Sequence, residues 1–220
     1  MADGRSASEM AYAHIRDAIL TGTCEAGTML SEVSLANEIG LSRTPVRTAL
    51  ALLQDEGWVT LYPKRGALVQ GLSERAIAEL LDARYVLEST GVQRSSLERR
   101  TALREPLEAQ IAEQRASLER GDIPAFIEST IAFHRAFVEI GENQVMLELY
   151  DRLGDRERYV LFRLGPKLIA RHDDIIAEHR ELVCELLQED LSAFRETLRL
   201  HMSDTNGRLV HPLPPPDRPR

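Results

Sequence analysis

The sequence predicts a mostly α-helical fold, in which three helices and a β-hairpin precede an all-helical antiparallel bundle. Apolar residues recur at helical spacing along most of the 220 residues. Two β-prone runs, WVTLY and ALVQGL, flank a Pro-Lys-Arg-Gly turn at 63–66. No convincing strand follows Ser73, so the sheet is expected only in the first part of the chain.

The first three helices are each marked by apolar periodicity and by a terminal signal. The first is expected over 7–22. A second, short helix is capped by Ser31 or Ser34 and ends at Gly40. The third runs from about 43 to Glu56, with its apolar residues on one face. The hairpin follows directly.

Six further helices are expected from Ser73 onward, separated mainly by glycine-containing breaks. Their ranges are 73–99, 103–120, 123–140, 143–164, 167–189 and 190–208. The segment 209–220 is rich in proline and is expected to be disordered. The predicted domains are therefore 1–72, 73–208 and this tail.

Composition indicates an ordinary soluble protein, with 43% hydrophobic and 28% charged residues. No apolar run approaches the roughly 20 residues that span a bilayer, and the N-terminus lacks a signal-peptide pattern. Cys24 and Cys184 are far apart and are expected as reduced thiols in the core. The predicted location is the cytoplasm, with no membrane partner.

The net charge of −8 opposes nucleic-acid binding, but the charge is unevenly placed. Arg43 and Arg47 lie four residues apart on one face of the third helix, after a glycine-containing turn. A short helix, a tight turn and a second helix form the helix-turn-helix plan, in which the second helix enters the DNA major groove. Ser42 or Thr44 is expected to cap that helix.

The hairpin tip carries Lys64, Arg65 and Gly66, which would meet the DNA backbone or minor groove as a wing. Arginine also suits bidentate contact with guanine. However, helical bundles often carry such arginines on a solvated face. On these residues alone, DNA binding and an ordinary bundle both stay open.

Three histidines, His134, His179 and His201, lie inside separate predicted helices beside apolar residues. Imidazoles that project into a bundle core form metal sites when they converge. The alternative is three core histidines, each satisfied by one hydrogen bond. Both interpretations stay open at this point.

The run from Ile15 to Gly71 resembles the winged helix-turn-helix of the GntR family. The resemblance rests on IRDAILTG, AGTMLSE, LANEIGLSRTPVRTAL, LLQDEGWV and PKRGALV. It implies that DNA is contacted by residues at the start of the third helix and at the hairpin tip. These are Ser42, Arg43, Thr44, Arg47, Lys64, Arg65 and Gly66.

The helical half resembles the FCD ligand-binding domain of the FadR branch of this family. The similar segments are LDARYVLES, with its Arg84-x3-Glu88 pair, and FHRAFVEIGEN, with later EH and LH histidines. The resemblance implies one divalent metal of the zinc or nickel class, held by an Asp and three His, which binds an effector carboxylate. His134, His179 and His201 match the histidines, but Thr130 stands at the Asp position.

Thr130 leaves two interpretations of this pocket. Three neutral imidazoles and water still bind zinc, with reduced affinity. Alternatively, the histidines and Thr130 hydrogen-bond the effector directly. Arg84 and Arg156 are candidates to pair with its carboxylate. The candidate effector site is Arg84, Thr130, His134, Arg156, His179 and His201.

The predicted function is a homodimeric repressor whose affinity for operator DNA changes when a small organic acid binds, and not an enzyme. Two alternatives remain. The His172-Asp173 pair would suit a metal-dependent hydrolase, although no nucleophile or general base accompanies it. The helical half would otherwise serve only to dimerise a DNA-binding protein without a ligand.

Overall fold

The computed structural model describes residues 5–207, which divide into two compact units between Ser73 and Glu74. The predicted disordered tail, 209–220, lies outside the described residues. Among the helices described, none is both long and apolar enough to cross a membrane.

The first unit contains three helices and a small antiparallel sheet, which confirms the predicted fold class. Its core contains Ile15, Ile19, Leu50 and Leu53, all fully buried. The elements are α1 (Ala7–Leu20), β1 (Met29–Leu30), α2 (Glu32–Ile39), α3 (Arg43–Asp55), β2 (Val59–Tyr62) and β3 (Gly66–Val69).

The predicted hairpin is present as β2 and β3, in which Val59 lies opposite Val69 and Tyr62 lies opposite Gly66. The sheet has a third strand that the sequence did not predict. This strand, β1, pairs antiparallel with β3, so that the strand order is β1-β3-β2. Two residues are too few to show the alternation by which strands are recognised.

The turn between α2 and α3 is fixed by local capping. Ser31, rather than Ser34, caps α2, because its hydroxyl accepts a hydrogen bond from the Ser34 backbone N–H at 3.4 Å. Gly40 ends α2 with a φ of 73°, a left-handed conformation that glycine adopts at little cost. Three residues later α3 begins, so the helix-turn-helix geometry follows from the sequence.

The second unit is all-helical, as predicted, but its described part has eight helices rather than six. Predicted helix 143–164 is broken at Arg152 and Leu153, and 167–189 is broken at Arg171. Gly154 directly follows the first break and begins α8, whereas no glycine or proline lies beside Arg171. The helices are α4 (Glu74–Arg94), α5 (Leu97–Glu119), α6 (Ile123–Glu139), α7 (Gln144–Asp151), α8 (Gly154–Arg163), α9 (Gly165–Ala170), α10 (His172–Leu186) and α11 (Ser192–Asn206).

The predicted break at Gly165 and Pro166 is present, although both residues belong to the helix that follows it. Helix α8 ends at Arg163 and α9 begins at Gly165, where a proline removes no helical hydrogen bond.

The prediction that both cysteines lie in the core is wrong. Cys184 is exposed and Cys24 is only partly buried, so neither thiol is a core residue.

Helices α4 and α6 cross in backbone contact at Gly91. A Cβ atom at Gly91 would lie 2.2 Å from the carbonyl oxygen of Phe137 and 2.8 Å from Cα of Val138. Gly141 approaches from the other side, because its own Cβ would lie 2.8 Å from Cα of Gly91. About one turn away, the close crossing brings Glu88 of α4 beside His134 of α6.

We expect Gly91→Ala to destabilise the chain, because the added methyl group meets backbone atoms that cannot rotate away. Overpacking of this kind costs about 1–3 kcal/mol, and urea unfolding measures the loss. Gly154→Ala is the matched control, since no atom lies within 4 Å of its Cβ position. Equal stability of Gly91→Ala and the unsubstituted chain would contradict the close crossing.

Candidate functional sites

The first unit has a concave surface formed by the start of α2, the start of α3 and the turn between β2 and β3. Its volume is about 510 Å³. Five residues predicted to contact DNA line it together: Arg43, Arg47, Lys64, Arg65 and Gly66. Ser42 and Thr44 are exposed at the start of α3, and the Ser42 side chain makes no capping hydrogen bond.

Glu32 of α2 holds both arginines of this surface. Arg47 donates to its carboxylate from Nε at 3.1 Å and from Nη2 at 2.9 Å. Arg43 Nη2 donates to Oε2 of the same carboxylate at 2.9 Å. The hydrogen bonds from Arg47 and Arg43 lower the pKa of Glu32 to about 2. Both guanidinium groups therefore share one carboxylate, on side chains that are 59% and 64% exposed.

The wing tip, which is the turn at 64–66 between β2 and β3, has its backbone in close contact with the end of β1. Arg65 N–H donates to the carbonyl of Tyr62 at 3.0 Å and closes the turn. Lys64 has a φ of 62° and Gly66 a φ of 113°. A Cβ at Gly66 would lie 2.1 Å from the carbonyl oxygen of Leu30, so only glycine fits there.

In the second unit, the three predicted histidines come together. His134 of α6, His179 of α10 and His201 of α11 are all buried. Each offers a ring nitrogen, and these nitrogens lie within 4.8 Å of one another. The ring centroids are 4.8 to 5.3 Å apart. Phe133 stacks on the His179 ring at a centroid distance of 4.4 Å.

Each histidine is oriented through its Nδ1 atom, which lies at hydrogen-bond distance from a side-chain oxygen. Because a side-chain oxygen is the natural acceptor, we assign the proton to Nδ1, which leaves the lone pair on Nε2. In His179 the Nε2 atom is buried and makes no hydrogen bond to a described residue. The pairs are His134 with Glu88 at 2.7 Å, His179 with Gln114 at 2.8 Å and His201 with Glu178 at 2.6 Å.

This donor set fits a divalent metal ion. Burial is the main cause that lowers the pKa of His134 and His179 well below the usual range, so both imidazoles are neutral near pH 7. Neutral imidazole is the form that binds a metal. The alternative, three core histidines each satisfied by one hydrogen bond, matches the three Nδ1 pairs. It leaves the buried Nε2 of His179 without a partner among the described residues, which costs about 1–3 kcal/mol.

A small enclosed cavity borders the cluster. Its volume is about 20 Å³, which is room for one ion or one water molecule. Thr130, His134, His201 and Arg84 all contribute to its wall. The Thr130 hydroxyl is buried and makes no hydrogen bond within the described part of the chain.

Arg84 is buried between two glutamates. Its Nη2 lies 3.0 Å from Oε1 of Glu88 and 3.0 Å from Oε1 of Glu157. Burial raises the pKa of Glu88 and Glu157 to about 7, while the Arg84 charge opposes the increase. Glu88 also accepts hydrogen bonds from His134 and from the Tyr150 hydroxyl at 2.9 Å.

Arg156 is not part of this pocket. The prediction that it contacts an effector in the pocket is therefore corrected. It is exposed on α8 and does not line the cavity. The next residue, Glu157, is buried and does line it. Successive residues of a helix point about 100° apart, so the two side chains face in different directions.

Four acidic or amide residues of these sites were missed as site residues. Glu32, Gln114 and Glu157 act across helices, and their sequence neighbours gave no indication of this. Glu178 directly precedes His179, but its partner is His201, 23 residues away. Only the Arg84-x3-Glu88 spacing carried a signal, because residues four apart share a helix face.

The His172-Asp173 pair lies apart from the histidine cluster. His172 is exposed at the start of α10, and its Nδ1 lies 2.8 Å from the carbonyl oxygen of Ile169. Its Nε2 lies 3.4 Å from Asp173, whose side chain is 80% exposed. This arrangement gives no support to a hydrolase.

The winged helix-turn-helix unit and the helical unit with its histidine cluster define a bacterial transcription regulator. Residues 7–69 match the family described as "Bacterial regulatory proteins, gntR family". Residues 79–204 match the FCD domain. The chain therefore belongs to the GntR family and carries a C-terminal FCD domain.

Two similar proteins are named as transcription regulators. An HTH-type transcriptional regulator in an unstable DNA locus of Streptomyces ambofaciens is 31% identical over 208 residues, which are 91% of this chain and 84% of the relative. The gluconate operon transcriptional repressor of Bacillus licheniformis is 27% identical over 199 residues, 89% of this chain and 82% of the relative.

Solved structures show the same fold. A GntR transcriptional regulator from Rhodococcus sp. RHA1 has a TM-score of 0.74 and 22% identity, over 91% of this chain and 95% of that one. E. coli McbR/YncC has a TM-score of 0.70 and 21% identity, over 92% and 96% of the two chains.

Proposed function

We propose that this regulator is a homodimeric, cytoplasmic repressor whose operator affinity changes when a small organic acid binds its FCD domain. The observation that carries the proposal is the buried three-histidine cluster, in which each Nδ1 pairs with a side-chain oxygen. A purely structural second unit would not need such a cluster. Residues 1–72 bind DNA, and residues 73–208 bind the effector and dimerise.

DNA contact is assigned to the surface shared by α3 and the wing. Arg43 and Arg47, fixed by Glu32, face the same concavity as Lys64, Arg65 and Gly66. Ser42 and Thr44 stand at the exposed start of α3, where free backbone N–H groups favour a phosphate. This focused patch explains how an acidic chain binds an anionic polymer.

His134, His179 and His201 would hold one divalent ion of the zinc or nickel class, which supplies positive charge for an effector carboxylate. Thr130 contributes no charge where related domains have Asp. The affinity for the metal is therefore lower. With three neutral ligands the ion keeps its full double charge, which favours an anionic effector. Thr130 and Arg84 form part of the pocket wall.

Repression and dimerisation rest on two further arguments. Relatives from Bacillus licheniformis and Bacillus subtilis are named as gluconate operon repressors. A helix-turn-helix protein reads two half-sites most simply as a two-fold dimer. The effector acts by linkage, changing DNA affinity only by its unequal affinity for two arrangements of the dimer.

Elemental analysis of chain purified without chelator or affinity tag tests the metal. We expect about one zinc or nickel ion per chain, a lower melting temperature after treatment with EDTA, and recovery on adding the metal. Light scattering is expected to give a dimer. The absence of bound metal, with no stabilisation by added zinc or nickel, would contradict the metal assignment.

A further inference from the structure

We propose that Val33 reads one base of the operator, through an apolar contact with the 5-methyl group of a thymine in the major groove. This inference rests on the proposed assignment of DNA contact to the concave surface of the first unit. Val33 is the second residue of α2, and it is 48% exposed. It lines that surface together with Arg43 and Arg47.

The concave surface is not uniformly basic. Its cationic side chains suit the phosphates, which carry the charge of DNA. Besides them it presents apolar side chains, which are Val33, Leu61, Tyr62 and Pro63. An exposed apolar patch with polar groups at its rim marks a place where a partner binds. A charged phosphate offers no favourable contact to such a patch, so the DNA must supply an apolar group as well.

Thymine is the base that supplies this group. Its 5-methyl group lies in the major groove, where base edges otherwise present hydrogen-bonding atoms, and apolar side chains recognise it by contact. In the helix-turn-helix plan the second helix, here α3, enters the same groove. A side chain that lies beside the first turns of α3 therefore meets the same stretch of base pairs as Arg43 and Arg47 do.

Glu32 places Val33 at this end of the surface. The Glu32 carboxylate accepts hydrogen bonds from both Arg43 and Arg47, at 2.9 to 3.1 Å. Val33 follows Glu32 directly in α2, so it is one residue away from the group that contacts both arginines. Leu61, Tyr62 and Pro63 belong instead to β2 and the turn after it. Val33 is also stiff, because a β-branched side chain has few rotamers to lose on contact.

Replacement of thymine by deoxyuridine tests the inference, because deoxyuridine lacks only the 5-methyl group. The probe is a fragment selected from random DNA with the unsubstituted full chain, in which each thymine is replaced in turn. We expect one position in each half-site at which the replacement weakens binding about 4-fold, the factor that corresponds to one methyl group withdrawn from an apolar contact. Gel-shift titration measures the affinities.

Variants at residue 33 identify the side chain responsible. Val33→Ser is expected to bind the thymine and deoxyuridine fragments equally, because both methyl groups of the valine are gone. Val33→Ile keeps a branched apolar side chain and should keep the preference for thymine. Leu52→Ser is the matched control, because Leu52 is 47% exposed on α3 but stands outside the concave surface. It should also keep the preference.

The outcomes separate this inference from the proposed DNA contact. Selection of no fragment, or binding that is unaffected by Arg47→Ala, overturns both. Binding that depends on Arg47 but tolerates deoxyuridine at every thymine overturns the inference alone, as does a selected site without thymine. A preference for thymine that persists unchanged in Val33→Ser shows that the methyl group acts through DNA shape or another residue, and it also overturns the inference.

Discussion

Arg47→Ala is expected to weaken binding to an operator fragment by about 1–3 kcal/mol, roughly 5- to 150-fold. The side chain of Arg47 is 64% exposed in the first turns of α3. Its guanidinium donates two hydrogen bonds to the Glu32 carboxylate, which orient it. The alanine variant loses both the cation and its prepared orientation. A gel-shift titration on a fragment selected from random DNA measures the effect.

Arg104→Ala removes the same charge from an exposed position on α5, where Arg104 pairs with Glu108. It is expected to bind the fragment normally, which separates a local contact from the change in net charge. If Arg47→Ala bound with the affinity of the unsubstituted chain, α3 would not be the recognition helix.

His179→Ala is expected to remove the stabilisation by zinc. A ligand present at 100 to 1,000 times its dissociation constant stabilises a protein by about 2.7 to 4.1 kcal/mol. His179 is fully buried, and its buried Nε2 makes no hydrogen bond to a described residue. For each variant, the free energy of unfolding in urea is measured with and without zinc, and the difference is the stabilisation by zinc. The cavity left by alanine lowers both values equally, so it does not affect this difference.

His172→Ala provides the control on the same helix, because His172 is exposed and stands outside the cluster. Its response to zinc should equal that of the unsubstituted chain. A full zinc response in His179→Ala would show that the ion binds elsewhere, and the effector site would then have to be reassigned.

Most of the first unit was predictable because its signals are local. Gly40 and the β-prone runs around 63–66 each set the structure of their own neighbourhood. The strand β1 was not predictable, since its two residues are extended only by pairing with β3. In the second unit, the break at Arg171 was not predictable, since no glycine or proline lies beside it.

The site residues likewise divide into those with a local sequence signal and those without one. His134, His179 and His201 were found because each polar ring stood among apolar neighbours. Their partners were missed because the pairs Glu88–His134 and Gln114–His179 are separated by 46 and 65 residues. Arg156, which was predicted, is exposed, and Glu157, which was not considered, is buried, because successive residues of a helix face different directions.

The cavity beside the histidines has a consequence for how sensitive the regulator is. At about 20 Å³ it cannot admit an organic acid in the packed arrangement that the structure shows. If the proposed organic acid binds here, it needs an expanded arrangement of these helices. The observed dissociation constant then equals the intrinsic one divided by the population of that arrangement. The packing of Leu168 and Ile175 on the cavity would then help to set the concentration at which the proposed effector is bound.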